Sequence, residues 1–77
     1  MNIREIVARN LRLLRNARDM SQEELADRAE INRNYVGMLE REEHGATIDM
    51  LEKLAIALGV DPTEFFRRSN DASSEPK

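Results

Sequence analysis

Apolar residues recur at intervals of three and four along most of this chain, and this spacing limits the folds available to it. Spacing of this kind places apolar side chains on one face of an α-helix. No segment alternates apolar and polar residues in the way that a half-buried strand requires. The chain is therefore predicted to be all-α. A first helix is predicted over residues 2–18, with these apolar positions: Ile3, Ile6, Val7, Leu11 and Leu14.

Capping residues mark the start of two further helices. Ser21 followed by Glu24 matches a capping box, which predicts a second helix from Gln22. Asn32 is a favourable N-cap for a third helix over residues 33–41. The inward-facing residues predicted for these helices are Leu25, Ala26, Ala29, Val36 and Leu39.

Two more helices are predicted in the second half of the chain. Thr47 is expected to cap the fourth helix and Gly59 to end it, because glycine readily adopts the left-handed conformation that follows a helix. The Asp-Pro-Thr-Glu sequence at 61–64 supplies an N-cap, a proline at the first helical position and a capping-box glutamate, which predicts a short fifth helix ending at Arg68. The buried face predicted for the fourth helix comprises Ile48, Leu51, Leu54, Ala55 and Leu58.

The length of 77 residues is enough for one domain with a small core, expected over residues 1–68. The polar residues 69–77 are expected to form a disordered tail. The chain has no cysteine, and no apolar stretch approaches the roughly 20 residues of a membrane span. A soluble, cytoplasmic protein without a membrane partner is expected.

The charges are distributed unevenly. The net charge is −3, but residues 1–41 carry eight arginines against seven acidic residues, whereas residues 42–77 carry four basic and eight acidic residues. Arginine is the cation best suited to bidentate contacts with phosphates and bases. A local basic face is therefore compatible with the acidic whole, although composition alone favours an ordinary solvated surface.

One face of the third helix has an unusual composition. At about 100° per residue, Asn34, Gly37, Met38 and Arg41 fall opposite the buried direction. Glycine within a helix costs about 0.5–1 kcal/mol relative to alanine. Gly37 is therefore expected where another molecule approaches the backbone closely, either a DNA groove or a protein partner.

The spacing of Gln22, Leu25, Ala26, Ala29, Ile31, Val36 and Leu39 resembles a helix-turn-helix. With the flanking segments LRLLRNARDMSQEELA and IDMLEKLAIALGVDPTEFF, the chain resembles the Cro/CI-type family, also called XRE or lambda-repressor-like, from about Ile6 to Phe66. The resemblance implies a compact five-helix domain that binds double-stranded DNA as a homodimer. In such a domain the second helix crosses the DNA backbone and the third enters the major groove.

The resemblance also implies roles for particular residues. Arg33, Asn34 and Met38 are expected at base edges, and a pair between Arg15 and Glu40 is expected to tie the first helix to the end of the third. Contacts with phosphates or the groove flanks are expected from Ser21, Gln22, Tyr35, Gly37 and Arg41. Alternatives remain open at this point: Arg33 as a phosphate contact or a solvated arginine, Asn34 as polar surface, Tyr35 as packing against the second helix, and Met38 as an exposed filler.

The sequence departs from the family pattern at three places. Glu30 stands in the turn, where relatives often have glycine because the backbone tends towards positive φ. Glu42 and Glu43 would lie near phosphates and weaken backbone contact by their loop. Gly37 stands where many relatives have a polar side chain, which would reduce the number of side-chain contacts with bases.

A homodimer is expected through the fifth helix. Val60, Phe65 and Phe66 are assigned to its interface, with one of the two phenylalanines expected to fill the core beneath the fourth helix. Such a dimer would place two recognition helices about 34–36 Å apart, which matches an inverted-repeat operator.

The function predicted is sequence-specific transcriptional regulation, and the alternative is a helical module that binds another protein. An enzyme is not expected, because the chain has no cysteine, no glycine-rich phosphate loop and a single histidine, His44. No metal and no cofactor are predicted.

Overall fold

Five helical segments follow one another along residues 2–68, the part of the chain that the computed structural model describes. The four α-helices are α1 (Ile3–Ala17), α2 (Gln22–Ala29), α3 (Tyr35–Glu40) and α4 (Ile48–Leu58), and a 3-10 helix follows at Pro62–Phe66. The all-α prediction is confirmed. The tail predicted at residues 69–77 lies outside the described residues.

Side chains cap the N-termini of α1 and α2 in different ways. α1 opens with a complete capping box that the sequence analysis did not identify, in which Asn2 and Glu5 exchange side-chain and backbone hydrogen bonds of 2.9 Å. At α2, Ser21 Oγ accepts from the backbone N–H of Glu24 at 2.9 Å. The Glu24 carboxylate accepts instead from Arg28, at 2.8 Å, so the predicted box at α2 is only half formed.

The predicted start of the third helix is wrong by two residues. Asn32 Oδ1 accepts from the backbone N–H of Asn34 at 2.8 Å, which stabilises a turn instead of a helix start. Arg33 and Asn34 therefore belong to the turn, and α3 begins at Tyr35.

The fifth helix differs from the prediction in type and length. It is a 3-10 helix that ends at Phe66 and does not reach Arg68. Asp61 caps it by accepting from the backbone N–H of Thr63 at 2.9 Å. The Glu64 carboxylate pairs with Arg67 at 3.2 Å and takes no part in a capping box.

The core lies where the four α-helices and the 3-10 helix meet. α1 packs against α3 and the 3-10 helix, and α2 packs against α3 and α4. Ile48, predicted to be buried, is 84% exposed, and Ile3, on the predicted apolar face of the first helix, is 56% exposed. Both occupy the first residue of their helix, beyond the packed layer. The fully enclosed side chains are Leu11, Leu25, Ala26, Val36, Leu54 and Phe65.

A buried asparagine joins α1 to the end of the described chain. Asn10 Nδ2 donates to the carbonyl oxygens of Phe65, at 2.8 Å, and Arg67, at 2.6 Å. Arg9 Nη2 donates to the same Arg67 oxygen at 3.2 Å. These bonds hold the 3-10 helix against α1. Among the described residues, no helix is long and apolar enough to cross a membrane.

Candidate nucleic-acid interface

The turn between α2 and α3 sets the angle between these two helices. Glu30 ends α2 in the left-handed conformation, with φ 60° and ψ 44°. The backbone N–H of Ile31 donates to the Ala26 carbonyl at 3.0 Å and closes the turn. Ala26 is completely enclosed. A glutamate thus occupies the backbone conformation that glycine adopts most easily.

A buried carboxylate fastens the end of α3 to both neighbouring helices. Arg15 of α1 donates to the two oxygens of Glu40, from Nε at 2.7 Å and from Nη2 at 3.0 Å. Gln22 of α2 donates to Glu40 Oε1 from Nε2 at 3.0 Å. The Glu40 side chain is only 4% exposed, so its charge depends on these three hydrogen bonds.

Two further bonds extend this network along α1. Arg15 Nη1 donates to the Met20 carbonyl at 2.8 Å, and Arg12 Nη2 donates to the Glu40 carbonyl at 3.1 Å. The hydrogen bond to Glu40 raises the pKa of Arg15, which keeps the guanidinium charged. Arg12 belongs to this network, although the sequence analysis assigned it no role.

The first turns of α2 and α3 face each other across a groove of about 350 Å³. It contains every predicted DNA-contacting residue except Ser21 and Tyr35. Two acidic residues join them there. The lining comprises Gln22, Glu23, Arg33, Asn34, Gly37, Met38, Arg41 and Glu43. We call this surface the reading groove.

Gly37 lies on the predicted face, but the expectation that it is exposed is wrong. A Cβ atom at this position would lie 3.0 Å from Arg41 Nη1 and 3.1 Å from Gln22 Oε1. These two side chains cover the glycine and make it buried. The absence of a side chain at Gly37 therefore leaves room for the side chains of Arg41 and Gln22. An approaching ligand meets these two side chains before the glycine.

Both arginines of the reading groove pair with carboxylates of the same chain. Arg33 Nη2 lies 2.9 Å from Glu23 Oε1, and both side chains are about two-thirds exposed. Arg41 donates to Glu43 from Nε at 2.9 Å and from Nη2 at 3.3 Å. Hydrogen bonding within this second pair raises the pKa of Arg41 and lowers that of Glu43.

The two remaining predicted contacts lie outside the groove. Ser21 is exposed, and its hydroxyl oxygen is used as the cap of α2. Tyr35 is half-buried against the core, and its ring meets the edge of His44 with 5.2 Å between centroids at an interplanar angle of 88°. Tyr35 therefore packs against the core and against His44 of the loop after α3.

The structure corrects one residue of the predicted dimer interface. Phe65 is completely enclosed in the core, so it cannot contact another subunit. Val60 is half-buried against the same core. Phe66 is 43% exposed and borders an apolar groove of about 370 Å³, together with the exposed Ile3 and Ile48.

No ligand set for a metal is found in the described part of the chain. Residues 2–68 contain no group of three or more histidine, aspartate or glutamate side chains arranged to hold a metal ion.

Comparisons with known proteins identify the family. A helix-turn-helix family model, HTH_3, matches residues 11–65. The control protein C.SmaI of Serratia marcescens is 40% identical over 68 residues, which are 88% of this chain and 81% of that protein.

Solved structures agree with this assignment. The restriction-modification controller protein C.AhdI from Aeromonas hydrophila superposes with a TM-score of 0.79 at 38% identity, over 82% of this chain and 96% of the controller. A hypothetical transcription factor from Neisseria superposes with a TM-score of 0.89 at 33% identity, over 94% of this chain and 83% of that chain. The chain belongs to the Cro/CI-type helix-turn-helix family of DNA-binding transcription regulators.

Proposed function

We propose that this protein is a sequence-specific regulator that binds an inverted-repeat operator in double-stranded DNA as a homodimer. The segment from Arg33 to Arg41 enters the major groove, and α2 lies across the phosphate backbone. The observation that carries this proposal is the reading groove, which gathers side chains from both helices on one outer surface.

The chemistry of the reading groove suits the edges of bases. Arg33 has a guanidinium fork that can donate two hydrogen bonds to guanine O6 and N7, and Asn34 can make a bidentate pair with adenine. Met38, half-buried beside them, supplies an apolar contact for a thymine methyl group. Arg41 supplies a second guanidinium, which we propose contacts a phosphate.

The support that holds these residues also favours DNA recognition. Gln22 has its amide N–H bonded to Glu40 while its oxygen faces Gly37. The side chain is thereby fixed between α2 and α3. Preorganised groups lose less conformational entropy when they bind, so this support increases the affinity available from each base contact.

The proposal is tested by selection from a random double-stranded DNA library, followed by sequencing. We expect enrichment of an inverted repeat. With Arg33→Ala, one guanine position in each half-site should lose its preference, which corresponds to about 1–3 kcal/mol of discrimination. Arg67→Ala is the matched control, because Arg67 is similarly exposed and also pairs with a glutamate.

The control variant should recover the same operator as the unaltered protein. If no sequence is enriched at low salt, the proposal is refuted, and a protein partner becomes the better hypothesis. The apolar groove beside Phe66 would then be the first surface to examine.

The homodimer is proposed to form through this apolar groove. Ile3, Ile48 and Phe66 expose apolar surface at one place, and exposed apolar clusters of this kind mark protein interfaces. A two-fold axis there would bring the same patch of each subunit into contact with its twin. Phe66 is retained from the predicted interface, while Phe65 is not.

Equilibrium sedimentation tests the dimer. Ile48→Glu should shift the protein to monomer without unfolding it, because this side chain is 84% exposed. Leu13→Glu is the control, since Leu13 is 57% exposed on α1 and does not border the apolar groove. An unaltered protein that is monomeric at micromolar concentration would exclude this part of the proposal.

A further inference from the structure

We infer that Glu23 and Glu43 neutralise the reading groove and so weaken its binding to DNA of unrelated sequence, and that Glu23, as the partner of Arg33, is a specificity-determining residue. This inference rests on the proposed function. It starts from the two ion pairs described above, which occupy both arginines of the groove in the free protein.

The charges within the groove cancel. Its titratable side chains are the cations Arg33 and Arg41 and the anions Glu23 and Glu43. Each cation lies 2.9 Å from one anion. A phosphate that approaches either guanidinium therefore meets a carboxylate already in the place that the phosphate would take.

The two ion pairs weaken binding to DNA of unrelated sequence most strongly. Such binding depends almost entirely on neutralising phosphates and releasing their counterions. An arginine that exchanges a carboxylate for a phosphate neutralises little net charge, and the displaced carboxylate then repels the DNA. Binding to unrelated sequences consequently loses much of its driving force.

Contact with the correct base is affected less. Arg33 uses Nη2 for Glu23, and the guanidinium has further N–H groups for a base edge. Exposed ion pairs of this kind are weak, so a bidentate guanine contact can replace or share them. Glu23 also limits the conformations of the Arg33 side chain before DNA arrives.

The pair between Arg41 and Glu43 also fixes the position of the Arg41 side chain. The Arg41 guanidinium lies against Gly37, with Nη1 3.0 Å from the position of the absent Cβ. Its two bonds to Glu43 hold it over the glycine. The raised pKa of Arg41 and the lowered pKa of Glu43 agree with a pair that is charged at neutral pH.

The experiment compares the full chain with Glu23→Gln, Glu43→Gln and the double variant. Binding to a random-sequence duplex and to the selected operator is measured by fluorescence anisotropy over a range of salt concentrations. Glu24→Gln is the matched control, because Glu24 also pairs with an arginine, at 2.8 Å, but does not line the groove. Each single variant removes one negative charge.

We expect each groove substitution to steepen the dependence of log K on log salt by about 0.9 for the random duplex. If the curves converge near 1 M salt, affinity at 0.1 M rises about eightfold for each carboxylate removed. For Glu23→Gln and the double variant, operator affinity should rise less than random-duplex affinity, so the ratio of the two falls. Glu43→Gln should raise both affinities, because a phosphate contact by Arg41 is common to both complexes. Glu24→Gln should leave the salt slope nearly unchanged.

The inference is overturned if the unaltered protein binds its operator but the double variant has the salt slope and affinity ratio of Glu24→Gln. Failure of the proposed function has a different appearance, namely no salt-dependent binding of any duplex by any variant. That result would overturn the inference as well.

Discussion

Replacing Glu40 with alanine tests whether the carboxylate network holds the helix-turn-helix together. The substitution removes the acceptor of three hydrogen bonds, two from Arg15 and one from Gln22. Arg15 would then keep a charge at a site where its side chain is only 13% exposed. The perturbation is therefore an uncompensated charge and three donors without their acceptor inside the domain.

The expected loss of stability follows from this burial. Removing one partner of a buried ion pair costs about 3–5 kcal/mol. The lower end applies here, because Arg15 keeps the bond from Nη1 to Met20 and has some access to water. A loss of about 3 kcal/mol in a domain of this size lowers the melting temperature by about 12–24 °C.

The measurement is urea and thermal unfolding followed by far-UV circular dichroism. Glu52→Ala is the control, since Glu52 is exposed on α4. Its unfolding free energy should change by less than about 0.5 kcal/mol. Glu40→Gln should be intermediate, because a carboxamide oxygen can still accept from Arg15. A loss below about 1 kcal/mol for Glu40→Ala, with an unchanged urea dependence, would refute the reasoning.

Substitutions at three further positions test local features of the fold. Glu30→Gly should raise the unfolding free energy by about 0.5–1 kcal/mol, because relief of left-handed strain exceeds the entropy cost of glycine; a decrease in melting temperature would contradict this. Thr47→Ala should cost about 1 kcal/mol in urea unfolding, since Thr47 Oγ1 caps α4 by accepting from Met50 at 3.1 Å, whereas Thr47→Ser should retain most of that stability. Hydrogen bonds from Thr63 lower the pKa of Asp61, so its stabilising effect is complete above the unfolded pKa of about 3.9 and is lost as pH falls through the lower folded pKa. The difference in stability between the unaltered protein and Asp61→Asn should therefore vanish in acid, and a difference that persists there would show that charge is not the cause.

Local patterns in the sequence predicted most of the helical fold. The three- and four-residue spacing indicated the inner faces, and Thr47 and Gly59 marked the ends of α4 correctly. Caps and terminal glycines act within a few residues, so a linear pattern contains the information they need. The same locality explains the errors, because Glu24 and Glu64 each had a nearby arginine that competed for the predicted capping role.

The resemblance to a family located the reading groove, but it did not show how the groove is built. Glu23 was assigned no role, and Gly37 was expected to be open to a ligand. The pairing of Glu23 and the covering of Gly37 both depend on the positions that the ends of long side chains from another helix or loop reach. Helical periodicity does not specify those positions.

The sequence by itself determined that this chain folds as short amphipathic helices around one small core, because periodicity and capping are local properties. Tertiary structure decided what covers Gly37, which phenylalanine is buried and which carboxylates oppose the arginines. Each of these outcomes depends on packing between helices. Arg15 and Glu40 illustrate the difference: they are 25 residues apart in sequence, and their pair was predicted from the family resemblance and not from periodicity. The meeting of α1 and α3 brings their charged atoms to 2.7 Å, as that resemblance implied.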